Sequence, residues 1–158
     1  MEEINKIISA LNDNLPAIRT SAVQEIGKQK IVSAFDKIIE LLQKDPSPLV
    51  RDNSAFALGE LGDMRAIPYL IKSLKEDDDE WVRKSSAKAL GLLKAKDAFD
   101  VLVNALKDKS PAVRRASARA LGQIGDKRAI KYLQELLHID DNILVKKYVK
   151  DALKILEK

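Results

Sequence analysis

The sequence predicts an all-α fold, a right-handed α-solenoid (α–α superhelix) of five stacked helix pairs and ten helices. Two observations predict it. Five aspartates are each followed six residues later by a basic residue: Asp13 and Arg19, Asp45 and Arg51, Asp77 and Arg83, Asp108 and Arg114, Asp140 and Lys146. The basic positions recur at intervals of 32, 32, 31 and 32 residues, and a period of this size marks a small unit stacked on copies of itself. Within each period, apolar residues recur at helical spacing in two blocks, and no segment alternates with the period of two that a half-buried strand requires.

The elements follow in chain order. The approximate repeats are residues 1–30, 31–62, 63–94, 95–125 and 126–158, within one domain. The first helix of each pair, helix A, is expected over 2–11, 33–43, 65–75, 97–107 and 128–138. In the third copy Ile67, Leu70, Ile71 and Leu74 stand at i, i+3, i+4 and i+7, one face of a helix. The second, helix B, is expected over 16–27, 48–61, 80–93, 111–124 and 143–157, with Val82, Ala87, Leu90 and Leu93 as the stripe of the third copy. Ser47, Asp79, Ser110 and Asn142 precede helix B and suit the N-cap, where a side-chain oxygen accepts an orphan backbone N–H. In copy one Leu15 precedes Pro16, and Asn14 takes the capping place one residue early. Pro48 and Pro111 suit the first helical position. Gly62 and Gly125 suit a left-handed C′ position. Gly27, Gly59, Gly91 and Gly122 lie inside helix B, where glycine costs about 1 kcal/mol relative to alanine. Their return at one repeat position, near small residues such as Ala55, Ala87 and Ala118, points to close helix–helix approach. Five pairs spaced by about 8–10 Å give a span of roughly 40–50 Å.

The pattern Asp…Val-Arg…Ala…Ala-Leu-Gly…Gly-Asp is carried fully by residues 45–63 and nearly as well by 110–126. It resembles the HEAT repeat, in the short variety named after phycobilisome lyase subunits (PBS lyase HEAT-like repeats). The resemblance covers the whole chain, the first and last copies being degenerate. It implies HEAT-like helix pairs in an armadillo-like helical fold, with B helices lining the concave surface. It also implies a choice of functions, because the family mixes scaffolds, chromophore lyase subunits and metal-dependent hydroxylases. The hydroxylases hold metal with His–Glu pairs. His138 is the only histidine here, so the resemblance to that branch fails at the residues that matter.

Composition narrows the classes further. An apolar content of 46% supports a continuous core, and only 4% aromatic residues fits a core of Leu, Ile, Val and Ala. There is no cysteine, hence no disulfide, thiolate metal site or cysteine nucleophile. The first residues do not read as a signal peptide, and no apolar run approaches the roughly 20 residues that span a bilayer. A soluble cytoplasmic protein is expected. No Ser/His/Asp set and no phosphate loop can be assembled, so neither an enzyme nor a cofactor is expected. In copy five Val149 and Lys150 replace the small pair of other copies and Lys146 replaces arginine. In copy one Glu2, Glu3, Asn5 and Lys6 keep one side polar. Both ends are expected to act as caps, which implies a complete chain and a monomer.

The candidate sites come in two groups. The recurring Asp and Arg positions read as a structural ladder: each aspartate accepts turn N–H groups, and each arginine forks onto that aspartate or its neighbour's. The exposed face of helix B reads as a binding groove. Positions one and five after the basic residue share one stripe. They hold Thr20 and Gln24, Asp52 and Phe56, Lys84 and Lys88, Arg115 and Arg119, Lys147 and Asp151. The first two pairs are neutral to acidic with an exposed Phe56, and the next two are wholly basic. Trp81 starts the third helix B, either as an exposed anchor or packed over the inter-repeat turn. Tyr148 is placed at the groove's end, and Tyr69 and Tyr132 at the core edge. The acidic run 76–80 lacks the glycine and alternate spacing of a calcium loop and reads as a turn that caps helix B. The expected function is a non-enzymatic scaffold that binds a protein or peptide, an acidic one, through the concave row of B helices. Phe56, Trp81, Lys84, Lys88, Arg115, Arg119 and Lys147 would carry it. The alternatives are nucleic-acid binding through the basic half, against which stand a net charge of only +4 and no evident row of stacking aromatics, and a bilin-lyase-like accessory subunit handling a chromophore.

Overall fold

Ten α-helices and no strand make up the chain, all of whose residues 1–158 are described by a computed structural model. They are α1 (Glu2–Ala10), α2 (Pro16–Gln29), α3 (Phe35–Lys44), α4 (Pro48–Leu61), α5 (Ile67–Glu76), α6 (Glu80–Leu92), α7 (Phe99–Ala105), α8 (Pro111–Ile124), α9 (Ile130–Ile139) and α10 (Ile143–Leu156). Odd-numbered helices are the A helices and even-numbered ones the B helices. None is long and apolar enough to cross a membrane.

The B helices fall close to their expected bounds. From α3 onward the A helices begin later than expected, because the first turn is a 3₁₀ helix: Val32–Ala34, Met64–Ala66, Lys96–Ala98 and Lys127–Ala129. In two of these turns a preceding aspartate holds the tight geometry, Asp63 accepting from Arg65 N–H at 2.9 Å and Asp126 from Arg128 N–H at 3.0 Å. Helix α7 ends early as well. Lys107 and Asp108 donate three residues back, to Asn104 at 3.0 Å and Ala105 at 3.1 Å. Copy four is the one whose ladder spacing is a residue short, and this tightened turn absorbs the deletion.

Capping divides the B helices into two kinds. Asp79 accepts from Trp81 and Val82 N–H, and Asn142 from Leu144 and Val145 N–H. Ser47 and Ser110 make no side-chain cap bond, and α4 and α8 start instead on proline. Nor does Asn14 cap α2: the N-cap is Leu15, with no side-chain bond. Gly62 and Gly125 close their helices at φ 72° and 81°, as their sequence position predicts, but Lys30 and Lys94 adopt the same left-handed conformation at φ 53° and 50°.

One apolar core of 43 buried residues runs the length of the stack. Leu70 and Leu74 of α5 and Val82 and Leu90 of α6, for example, all belong to it and are buried. Burying such side chains stabilises by about 1.5–3 kcal/mol each. Along the B row the contacts are closer still. A Cβ added to Gly59 would lie 3.1 Å from the Ala89 Cα, one on Gly122 3.1 Å from the Ala152 Cα, and one on Gly91 2.8 Å from the Ala120 Cα. Adjacent B helices thus touch backbone to backbone. The A helices do not: successive A helices approach one another far less closely, and clefts open between α3 and α5, α5 and α7, and α7 and α9. A stack tight along one row and gapped along the other curves toward the tight row, so the B helices lie on its inner face.

Candidate functional site

The ladder runs between repeats. Arg19 donates to Asp45 through Nε at 2.8 Å and Nη2 at 2.9 Å. Arg51 does the same to Asp77 at 3.0 and 3.2 Å, Arg83 to Asp108 at 2.9 and 3.1 Å, and Arg114 to Asp140 at 2.6 and 3.4 Å. From its own repeat each arginine takes backbone carbonyls and no carboxylate: Nη1 reaches Asp13 O, Asp45 O, Asp77 O and Asp108 O at 2.9–3.1 Å, and in Arg19, Arg83 and Arg114 the next carbonyl as well. Every aspartate also accepts the N–H two residues on, from Leu15, Ser47, Asp79, Ser110 and Asn142. Four bidentate rungs therefore join five repeats. The two ends of the ladder must be corrected: Asp13 has no arginine before it, and Lys146 has no carboxylate within ion-pair distance.

The electrostatics follow from this geometry. Burial alone would raise the carboxyls of Asp45, Asp108 and Asp140, but hydrogen bonds from the facing arginine and the turn N–H outweigh it and hold all three below the usual carboxylate range. Hydrogen bonds to those carboxylates raise Arg19 and Arg83 against their own desolvation, and Asp77 does the same for Arg51. The arginines of the ladder are thus neutralised internally and offer no free cation. The three aspartates of the acidic run are engaged as well: Asp77 pairs with Arg51, Asp78 lies 3.5 Å from the same guanidinium, and Asp79 caps α6.

The groove on the B row is different. None of Lys84, Lys88, Arg115, Arg119 and Lys147 takes part in an ion pair. Instead cations lie against aromatic rings. Lys84 Nζ is 5.3 Å from the Trp81 ring centre and Lys88 Nζ is 5.4 Å from that of Phe56. Arg115 and Lys147 flank Tyr148 at 6.0 and 5.7 Å. Such contacts are attractive and keep the charge at the surface. Phe56 is 38% exposed and Trp81 47%, so both rings remain available. Where sequence reasoning saw no aromatic row beside the cations, the structure brings Phe56, Trp81 and Tyr148 to one face with them.

Two members of the expected stripe sit otherwise. Thr20 is buried, and its hydroxyl has no partner. Asp52 turns aside to accept from the Ser85 hydroxyl, and burial pushes its carboxyl up against that bond. Leu49 and Leu144, the counterparts of Trp81, are about half exposed, and so are Leu92 and Ile155, which sequence reasoning missed. Leu92 and Ile155 share the position held by Glu60 and Gln123, and that polar–apolar alternation was the available signal. Beside Ile155 a cleft of about 470 Å³ is lined by Arg119, Gln123, Lys147, Tyr148 and Asp151. Tyr132 sits half-buried with its ring 6.4 Å from Phe99 in an edge-on contact, while Tyr69 is exposed.

Comparison with known proteins places this geometry. No curated protein matches the chain in sequence. Among solved structures, the chain is similar to the complex of CpcE and CpcF of phycocyanin lyase from Nostoc sp. PCC7120, at 28% identity and TM-score 0.85, over 97% of this chain and 64% of that one. It therefore spans under two thirds of that relative's length. An engineered protein (22% identity, TM-score 0.73, over 98% of this chain and 79% of that one) and a designed armadillo repeat protein in complex with the peptide (KR)4 (20%, 0.69, over 98% and 86%) share the fold. The model of HEAT repeats matches residues 4–91 and 70–154, nearly the entire chain. With its stacked helix pairs and arginine–aspartate rungs, the chain belongs to the HEAT repeat family.

Proposed function

We propose that the protein is a non-enzymatic binding scaffold that holds an acidic peptide or protein segment along its row of B helices. One observation carries this reading. Arginines used for structure are all paired, whereas Lys84, Lys88, Arg115, Arg119 and Lys147 are unpaired and share one inner face with exposed Phe56 and Trp81. Cations of this kind attract and orient an anionic partner, and exposed aromatics flanked by apolar neighbours are the usual anchors of an interface. The armadillo-type neighbour holding (KR)4 supports peptide capture on such a stack, with the opposite charge preference.

Trp81 supplies a direct test. Titration with a synthetic peptide rich in glutamate and leucine, followed by the fluorescence of this single tryptophan, is expected to saturate. The variant Lys84→Glu/Lys88→Glu/Arg115→Glu/Arg119→Glu is expected to lose at least tenfold in affinity, about 1.4 kcal/mol. Equal affinity of the two proteins would refute the reading. A second reading, binding of single-stranded nucleic acid, is favoured by the cation-flanked rings of Phe56, Trp81 and Tyr148. An oligonucleotide that outcompetes the peptide, with the steep salt dependence of counterion release, would move the assignment there. A third, an accessory subunit for a chromophore, rests on the likeness to phycocyanin lyase and on the cleft beside Tyr148.

A further inference from the structure

The stack carries a second, longer period. Gly27 and Gly91 are faced by the side-chain oxygens of Glu60 and Gln123, whereas Gly59 and Gly122 are faced by methyls of Leu92 and Ile155. Lysine closes the B helix in copies one and three, and glycine in copies two and four. Arg65 stacks on Phe35 and Arg128 on Phe99, both at 4.3 Å. Three independent features thus alternate, and the structural unit is a pair of repeats.

This alternation reaches the groove. Leu92 lies over Gly59, about one helical turn along from Phe56 on α4 and from its cation Lys88 on α6, with Lys84 and Trp81 further along α6. Ile155 lies over Gly122 and lines one cleft with Tyr148, Arg119 and Lys147. Each place combines an exposed aliphatic side chain with an aromatic ring and unpaired cations. The intervening place, where Gln123 covers Gly91, lacks the aliphatic side chain and the ring.

We infer that the groove contains two like subsites and grips one acidic chain at two points, each taking an apolar residue flanked by carboxylates. The inference rests on the acidic-peptide reading above. The subsites are two B-helix steps apart, about 16–20 Å at the usual 8–10 Å between packed helices. An extended chain covers that distance in about five or six residues.

The experiment uses synthetic peptides carrying one or two glutamate–leucine–glutamate blocks, the two-block series joined directly or by Gly/Ser linkers of about five, ten and twenty residues. Joined directly, the two leucines stand about 10 Å apart at most and cannot span the subsites. Flexible linkers approach the required root-mean-square length near ten residues, where effective concentration peaks before declining. By titration calorimetry the single block is expected to bind two per protein. The two-block peptide with a linker of about ten residues is expected to bind one per protein, at least tenfold more tightly than the directly joined one. Lys84→Glu/Lys88→Glu and Arg119→Glu/Lys147→Glu should each abolish the linker dependence and reduce single-block stoichiometry to one. Linker-independent affinity with a single-block stoichiometry of one would overturn the two-subsite arrangement and leave the acidic-peptide reading standing. No binding by any acidic peptide would remove both.

Discussion

Changing Asp108 to alanine isolates one rung of the ladder. Asp108 accepts from Arg83 at 2.9 and 3.1 Å and from Ser110 N–H at 2.9 Å. The Arg83 and Asp108 side chains are 8% and 14% exposed, so the guanidinium left behind would be largely buried, held only by the carbonyls of Asp77 and Asp78. Removing one partner of a buried pair costs about 3–5 kcal/mol, and the residual exposure places this rung at the lower end, about 3. Loss of the turn bond adds about 1 kcal/mol, for a total near 4. Asp13 provides an internal control: it occupies the same repeat position and accepts the same turn N–H but meets no arginine from a preceding repeat. Asp13→Ala is therefore expected to cost only about 1 kcal/mol. The assay is urea unfolding at neutral pH followed by circular dichroism and Trp81 fluorescence. Coincidence of the two probes tests two-state behaviour. Equal costs for Asp13→Ala and Asp108→Ala would refute the claim that the rungs, rather than the turns, are what the aspartates stabilise.

Three further outcomes follow from the same geometry. Gly91→Ala should destabilise by about 1–3 kcal/mol in urea unfolding, although alanine favours helix, because its Cβ would come within 2.8 Å of the Ala120 backbone. Lys94→Gly should stabilise by about 0.5–1 kcal/mol, read as a higher urea midpoint, since it relieves a left-handed non-glycine residue at φ 50°. The protein should lose stability in acid. Asp45, Asp108 and Asp140 have folded pKa values below their unfolded ones, so their contribution is present above the ordinary carboxylate range of about 4 and disappears as pH falls through the lower folded values. Thermal melts from pH 7 downward should show this decline, and Asp108→Ala should flatten it.

The repeat was legible because its signals are local and recur in register: the aspartate–arginine spacing, the prolines that open α4 and α8, the glycines that close them. The register of the rungs was not. Arg19 stands six residues from Asp13 and 26 from Asp45, and only the stacking of one repeat on the next shows that the distant carboxylate is the partner while the near residue supplies its carbonyl. The 3₁₀ turns escaped notice because their apolar spacing continues that of the helix behind them. In the groove the cations and Phe56 could be read from helical spacing, but Thr20 could not be placed correctly. Leu92 and Ile155 went unread because an aliphatic residue on a helix B resembles one more core position until its glycine neighbour in the preceding repeat is known.

The glycine–alanine contacts have a mechanical consequence. Backbones in contact have no slack, so the B row behaves as an inextensible spine, while the clefts between A helices leave room for the outer row to open or close. Flexure of the stack would then pivot about the inner row, as a leather binding bends about its stitched edge. Distances measured along that edge stay fixed while the curvature changes. A ruler placed on the spine keeps its graduations however the arc breathes, and a bound chain would feel the bending as a change in the groove's depth rather than in its length.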